Sequence, residues 1–200
     1  SALSPQALQR LAGAIRIPTI SEEDDAVFQR FQEFLADSYP RFHAVVESIP
    51  FGPRALVFCW RSPGVSAAQE PSLPVLFLSH YDVVPVEADK WSGEPFSGEI
   101  RDGFLWGRGT LDTKATLFWP LEAAESLIAK GNIPKRDIWF AFGGDEEVSG
   151  FAGAQKVAAW FAERGIRFSW LLDEGSIVAQ DMLSMVKEPL ALVSIEEKGY

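Results

Sequence analysis

Residues 137–147 read DIWFAFGGDEE. The first half is a near-continuous apolar run, the pattern of a strand covered on both faces. The second half places Asp145, Glu146 and Glu147 directly after two glycines. Like charges packed this closely repel, and any burial raises the cost of keeping them ionised. An apolar strand that delivers three acids to its carboxyl end decides how the rest of the chain is read.

Working outward, VLFLSHYD (75–82) is a second buried strand and FSWLLDEG (168–175) a third. Between them lie helical patterns. In TKATLFWPLEAAESLIAKG (113–131), Leu117, Leu121, Ala124 and Ile128 share one face, and Gly131 closes the end. Pro120 predicts a kink there or a helix that starts after Asp112. GFAGAQKVAAWFAERG (150–165) reads as another helix. Towards the N-terminus, Ser4 and Pro5 cap and open a first helix, and Ser21 precedes a second with acids in its first turn. FHAVVESI (42–49) and ALVFCWRS (55–62) alternate like strands, which puts His43 on an early strand as a structural residue. Strands alternating with helices predict an α/β fold: a mixed, mostly parallel sheet with helices on both faces.

Composition narrows the function. A formal charge of −10 disfavours nucleic acid, which rewards clustered Lys and Arg. No apolar segment approaches the ~18 residues of a membrane span. The N-terminus lacks a signal-peptide pattern, although processing leaves both a cytoplasmic and a periplasmic or secreted compartment open. Cys59 is the only cysteine, so an internal disulfide and a cysteine zinc site are both excluded. Most of the tryptophans fall at apolar periodic positions and read as core, with Trp91 and Trp106 as exceptions in a turn-rich stretch.

In open α/β sheets, ligands bind outside the carboxyl ends of the strands. Those ends carry His80 and Asp82, then Asp145-Glu146-Glu147, then Asp173-Glu174, and Asp112 follows the GRG turn at 107–109. Taken singly, each has a plain explanation: a core histidine, a helix N-cap, a solvated helix start, a strand-end turn. Together they point to divalent cations, which remove the repulsion and accept His plus carboxylate ligands. Adjacent Glu146 and Glu147 then suit two tasks, one coordinating and one taking a proton from water.

The stretches HYDVVPVE (80–87), PFSGEIRDGFLWGRGTLDTK (95–114), GGDEEVSG (143–150) and LLDEG (171–175) resemble the dinuclear zinc amidohydrolases. That group includes aminoacylases, carboxypeptidase G, acetylornithine deacetylase and succinyl-diaminopimelate desuccinylase. The likeness is greatest to the Gly-Xaa carboxypeptidase and N-acyl-amino-acid hydrolase branch. Four ordered motifs carry it over roughly residues 70–200, and the first 70 follow only in order of elements.

The resemblance implies a metal-dependent hydrolase of amide bonds in N-acyl amino acids or short peptides with a free carboxylate. It implies two Zn²⁺ per complete site, with Mn²⁺ or Co²⁺ as substitutes. His80 and Glu174 would bind one zinc, with Asp173 as the alternative to Glu174; Asp112 would bridge, and Glu147 would bind the second. Asp82 would orient His80, Glu146 would be the general base, and the Asp112–Thr113 peptide would be cis.

The family pattern also needs a further zinc-binding His and a lid-domain His. This chain has only His43 and His80. Residues 1–187 are therefore expected to be the N-terminal part of a catalytic metal-binding domain, with 188–200 approaching an absent lid and dimerisation domain. Alone, the chain is expected to be feeble or inactive, with an exposed sheet edge. Two alternatives compete: a non-catalytic module that keeps the fold and acts through binding, and a metal-free hydrolase using paired carboxylates. The second leaves His80 and Asp112 without roles.

Overall fold

The computed structural model describes residues 4–64, 73–175, 177–179 and 189–192. Five strands form the main sheet: β1 (Glu47–Pro50), β2 (Ala55–Trp60), β3 (Val75–His80), β6 (Ile138–Gly143) and β7 (Trp170–Leu172), in the order β1-β2-β6-β3-β7. β1, β2 and β6 pair antiparallel, whereas β6, β3 and β7 run parallel. Two small antiparallel pairs lie outside it, β4 (Glu99–Arg101) with β5 (Phe104–Trp106) and β8 (Ile177–Ala179) with β9 (Leu190–Leu192).

Helices cover both faces, as the apolar strand runs require. On one face, Phe58, Phe140 and Phe142 meet α1 (Pro5–Ile15), α2 (Asp25–Ser38), α3 (Pro40–Val45) and α4 (Lys114–Ala129) through Leu11, Phe31, Phe42 and Leu117. On the other, Val57, Cys59, Trp139 and Ala141 meet α5 (Ala154–Glu163) through Val157 and Phe161. Alternate residues of each strand serve opposite cores, the consequence of a side-chain period of two. Burial on both sides pushes the Cys59 thiol pKa up to about 12 and leaves it inert.

Several local expectations are corrected. The stretch from Pro40 to Val45 is helix, and strand begins only at Glu47, so His43 lies on α3. Pro40 presets the first helical turn, and Glu125 of α4 accepts the backbone N–H of Phe42 at 2.7 Å and of Arg41 at 3.3 Å. A long-range carboxylate thus caps a helix that the local alternation disguised. Helix α2 starts at Asp25 with Asp24 as its cap, which leaves Ser21 outside the helix. Helix α4 starts at Lys114, after Asp112 as one of the two expectations had it, and runs through Pro120. Helix α5 starts at Ala154 rather than at Gly150.

The tryptophans also divide differently. Trp60 and Trp139 are buried, whereas Trp106, Trp119 and Trp170 are exposed. Trp119 and Trp170 lie where the covering thins: β7 is the last strand on its side among the described residues. An apolar groove of about 410 Å³ runs there between α4 and the sheet, lined by Trp60, Phe77, Trp119, Leu127 and Leu172. Residues 188 and 193–200, and with them the expected boundary after residue 187, lie outside the described residues.

Candidate metal centre

The three parallel strands end at the same edge. His80 closes β3 and stands opposite Gly143 of β6, while Phe77 pairs with Leu172 at the end of β7. Each strand then releases its chain into a turn: Tyr81-Asp82 after β3, Gly144 to Val148 after β6, and Asp173-Glu174 after β7. Gly144 is required at its turn, since a Cβ there would lie 2.8 Å from the Tyr81 ring. A fourth segment arrives through the cis Asp112–Thr113 peptide at the start of α4.

His80 is the hub. Its Nδ1 lies 3.2 Å from Oδ1 and 3.0 Å from the backbone carbonyl oxygen of Asp82. That leaves Nε2 aimed at a ring of acids: Asp112 at 3.2 Å, Glu174 at 3.3 Å and Glu146 at 3.7 Å. Ligand atoms of His80, Glu146 and Glu174 converge within 4.8 Å of one another, as do those of His80, Asp112 and Glu147. Five of the residues singled out in the sequence, His80, Asp112, Glu146, Glu147 and Glu174, thus come together at the strand ends. Asp173 does not join them: its carboxylate accepts the backbone N–H of Glu174 at 2.9 Å and lines the apolar groove.

The donor set suits a divalent cation. One imidazole nitrogen with its tautomer fixed from behind, surrounded by carboxylates, is a ligand combination zinc accepts. The electrostatics agree. Burial opposes charge on His80, but the hydrogen bond to Asp82 and the charges of Glu174, Asp82 and Glu146 push its pKa up to about 9. Burial and the neighbouring carboxylate of Asp112 raise Glu147; burial raises Glu174, opposed by His80 and helped by Asp112 and Glu146. These acids resist ionising together, and a cation removes that resistance.

Asp82 is fully buried, yet burial is overcome by the His80 hydrogen bond, the Ser21 hydroxyl and the Glu146 N–H, which hold its carboxyl below the usual range. The two acids after β6 differ in setting. Glu146 is the more exposed, with 53% of its side chain accessible, while Glu147 sits deeper. Sequence reasoning missed four supporting residues. Ser21 donates to Asp82, Arg54 donates to the carbonyls of Ser21 and Gly144, Asp145 accepts from Ala152, and Lys114 donates to the carbonyls of Ala14 and Ile17. Only Asp145 carried a local signal, its place in the acidic run. Beside Asp112 opens a second groove of about 390 Å³, walled by Trp91, Phe104, Trp106, Arg108 and Leu111.

A cluster of potential metal ligands thus stands at one edge of a mixed α/β sheet covered by helices. The family model for peptidase family M20/M25/M40 matches residues 76–189, more than half of the chain. The chain belongs to this family, whose members are metallopeptidases.

Among curated relatives, the "N-fatty-acyl-amino acid synthase/hydrolase PM20D1" of Xenopus tropicalis is 35% identical over 97% of this chain. The "Probable carboxypeptidase S-like 2" of Dictyostelium discoideum is 37% identical over 96%. The chain spans 38% of the length of each. Human carnosine dipeptidase 1 superposes with a TM-score of 0.65 at 19% identity, over 87% of this chain and 39% of that one. The metallo-carboxypeptidase Sso-CP2 of Sulfolobus solfataricus gives 0.65 at 20% identity, over 86% and 38%. At that identity the structural likeness speaks for the fold.

Proposed function

We propose that the protein carrying this chain hydrolyses amide bonds in N-acyl amino acids or short peptides with a free carboxylate, and that it does so with divalent cations, zinc first among them. The observation that carries the reading is the convergence on His80 Nε2 of Asp112, Glu146 and Glu174, with Glu147 grouped beside Asp112. The names of the relatives, N-acyl-amino-acid hydrolase and carboxypeptidase, support the substrate class.

In this reading His80 and Glu174 would hold one cation and Glu147 a second, with the Asp112 carboxylate available to both. Bound cations supply Lewis acidity to water and to the amide carbonyl. Glu146, the exposed member of its pair, accepts the proton of the attacking water and returns it to the leaving amine. Asp82 fixes His80 so that Nε2 faces the ligands. The aromatic groove beside Asp112 offers an apolar wall to an acyl group.

The test is metal content per chain, with anomalous scattering at the zinc edge from protein prepared without chelator. Density between His80, Asp112, Glu147 and Glu174 is the expected result. A folded, zinc-treated chain that takes up no metal, with these side chains dispersed, would refute the reading.

A further inference from the structure

We propose that Ser21 is a positioning residue of the metal centre: its hydroxyl holds the Asp82 carboxylate in the orientation that serves His80, Glu146 and Glu147 together. The inference rests on the metal reading above and adds to it a residue that lies outside the matched family segment.

The Asp82 carboxylate has two donors on each oxygen. Oδ1 faces His80 Nδ1 at 3.2 Å and the backbone N–H of Glu146 at 3.1 Å. Oδ2 accepts the backbone N–H of Glu147 at 3.1 Å and the Ser21 hydroxyl at 2.8 Å. Four donors fill the acceptor capacity of a carboxylate that is shut off from water. Three of the four belong to residues of the centre itself. Ser21 is the shortest contact and the one that comes from elsewhere in the fold.

Its hydroxyl has one weaker alternative, the Val83 carbonyl at 3.4 Å, against 2.8 Å to Asp82, and no capping task. A serine before a helix ordinarily caps it, but Asp24 caps α2 through the N–H of Ala26. Ser21 is 7% exposed, so a lost hydroxyl has little access to replacement water. The residue is also held firmly enough to act as a stop. Its N–H donates to the Val83 carbonyl at 3.1 Å, and its own carbonyl accepts Arg54 Nη1 at 2.9 Å. The same guanidinium reaches the Gly144 carbonyl at 3.4 Å, next to the acidic turn. Alongside, Val83 N–H donates to the Thr19 carbonyl at 2.9 Å and the Thr19 hydroxyl donates to the Tyr81 carbonyl. Residues 19–21 therefore form a strut laid against 81–83, and Ser21 is the point where the strut touches the carboxylate.

The test uses this chain with Ser21→Ala, Ser21→Thr and Thr19→Val, the last removing a hydroxyl from the strut without touching Asp82. Two readouts are taken on variants whose unfolding shows them folded: hydrogen exchange of the Glu146 and Glu147 amides without metal, and Co²⁺ affinity by competition with a chelator. Ser21→Ala should speed exchange at both amides and weaken Co²⁺ by about tenfold, the low end for outer-shell partners of a metal ligand. Ser21→Thr should restore both, and Thr19→Val, which loosens the strut but keeps the Asp82 contact, should cost clearly less than Ser21→Ala on both readouts. Unchanged exchange and affinity in Ser21→Ala, or an equal loss in Thr19→Val, would overturn the assignment. If the unaltered chain takes up no Co²⁺, the metal reading fails, and the exchange arm alone decides the role of Ser21.

Discussion

The carboxylate of Asp82 accepts the backbone N–H of Glu146 at 3.1 Å, so the residue behind the histidine also sets the turn that carries the proposed general base. Asp82→Ala should therefore do more than loosen His80. It strands buried donors from His80, Ser21 and two backbone amides, at a cost of about 3–5 kcal/mol for breaking a buried, charged network. Urea unfolding and zinc titration on the same variant should both fall. Retained zinc affinity with normal stability would contradict the arrangement.

Glu146→Gln keeps shape and volume but removes the proton acceptor. In the complete protein it should leave metal content unchanged and lower kcat by roughly 10²–10⁴, the range for a positioned acid–base group. Glu147→Gln should instead lower metal content. Parallel measurement of metal stoichiometry and hydrolysis of an N-acyl amino acid separates the two roles, and loss of metal in Glu146→Gln would reverse them.

Metal uptake should be steeply pH-dependent. A ligand imidazole must be neutral, and His80 in the metal-free chain keeps its proton up to about pH 9. Apparent zinc affinity should rise from pH 6 to 9 with proton release, measurable by calorimetry in buffers of different ionisation enthalpy. Stability of the metal-free chain runs the other way. A folded pKa raised above the unfolded 6.5 contributes stability in full below about 6.5, and that stability is lost as pH rises through about 9. The raised carboxyls of Glu147 and Glu174 act in the same sense, through their own lower range. A metal-free unfolding midpoint that climbs between pH 6.5 and 9 would argue against this coupling.

Glu125 tests the fold away from the centre. It is 8% exposed and accepts two backbone N–H groups at the start of α3. Glu125→Ala should destabilise by about 1–3 kcal/mol through those unsatisfied donors while leaving zinc affinity intact. Urea midpoints beside zinc titration give the comparison.

How far the sequence reached depended on the range of the forces involved. Strands β2, β3 and β6 were legible because each carries an apolar run of four to six residues, which has few other destinations. The convergence of His80, Asp112, Glu146, Glu147 and Glu174 followed from strand ends sharing one edge. What stayed hidden was decided across the fold. The helix at Pro40–Val45 depends on a cap from Glu125, more than 80 residues on, which no local period reveals. Ser21 carried no signal beyond standing ahead of the second helix, because its partner, Asp82, is brought to it only by the pairing of residues 19–21 with 81–83. Trp119 and Trp170 follow the core's periodicity, but the sheet ends beside them among the described residues, so the period does not bury them.

The gathering of donors from positions 80, 112, 146, 147 and 174 bears on the order of assembly. Apart from the adjacent Glu146 and Glu147, none of these positions is near another until β3, α4, β6 and β7 have docked, so a cation would meet no imidazole–carboxylate pair among them on the unfolded chain. In the proposed centre, metal would be the last component to arrive rather than a folding nucleus. Its stabilisation is then a mass-action effect, growing by about 1.4 kcal/mol for each tenfold rise in free metal above the dissociation constant. Chelation should lower the melting temperature and leave a folded chain behind.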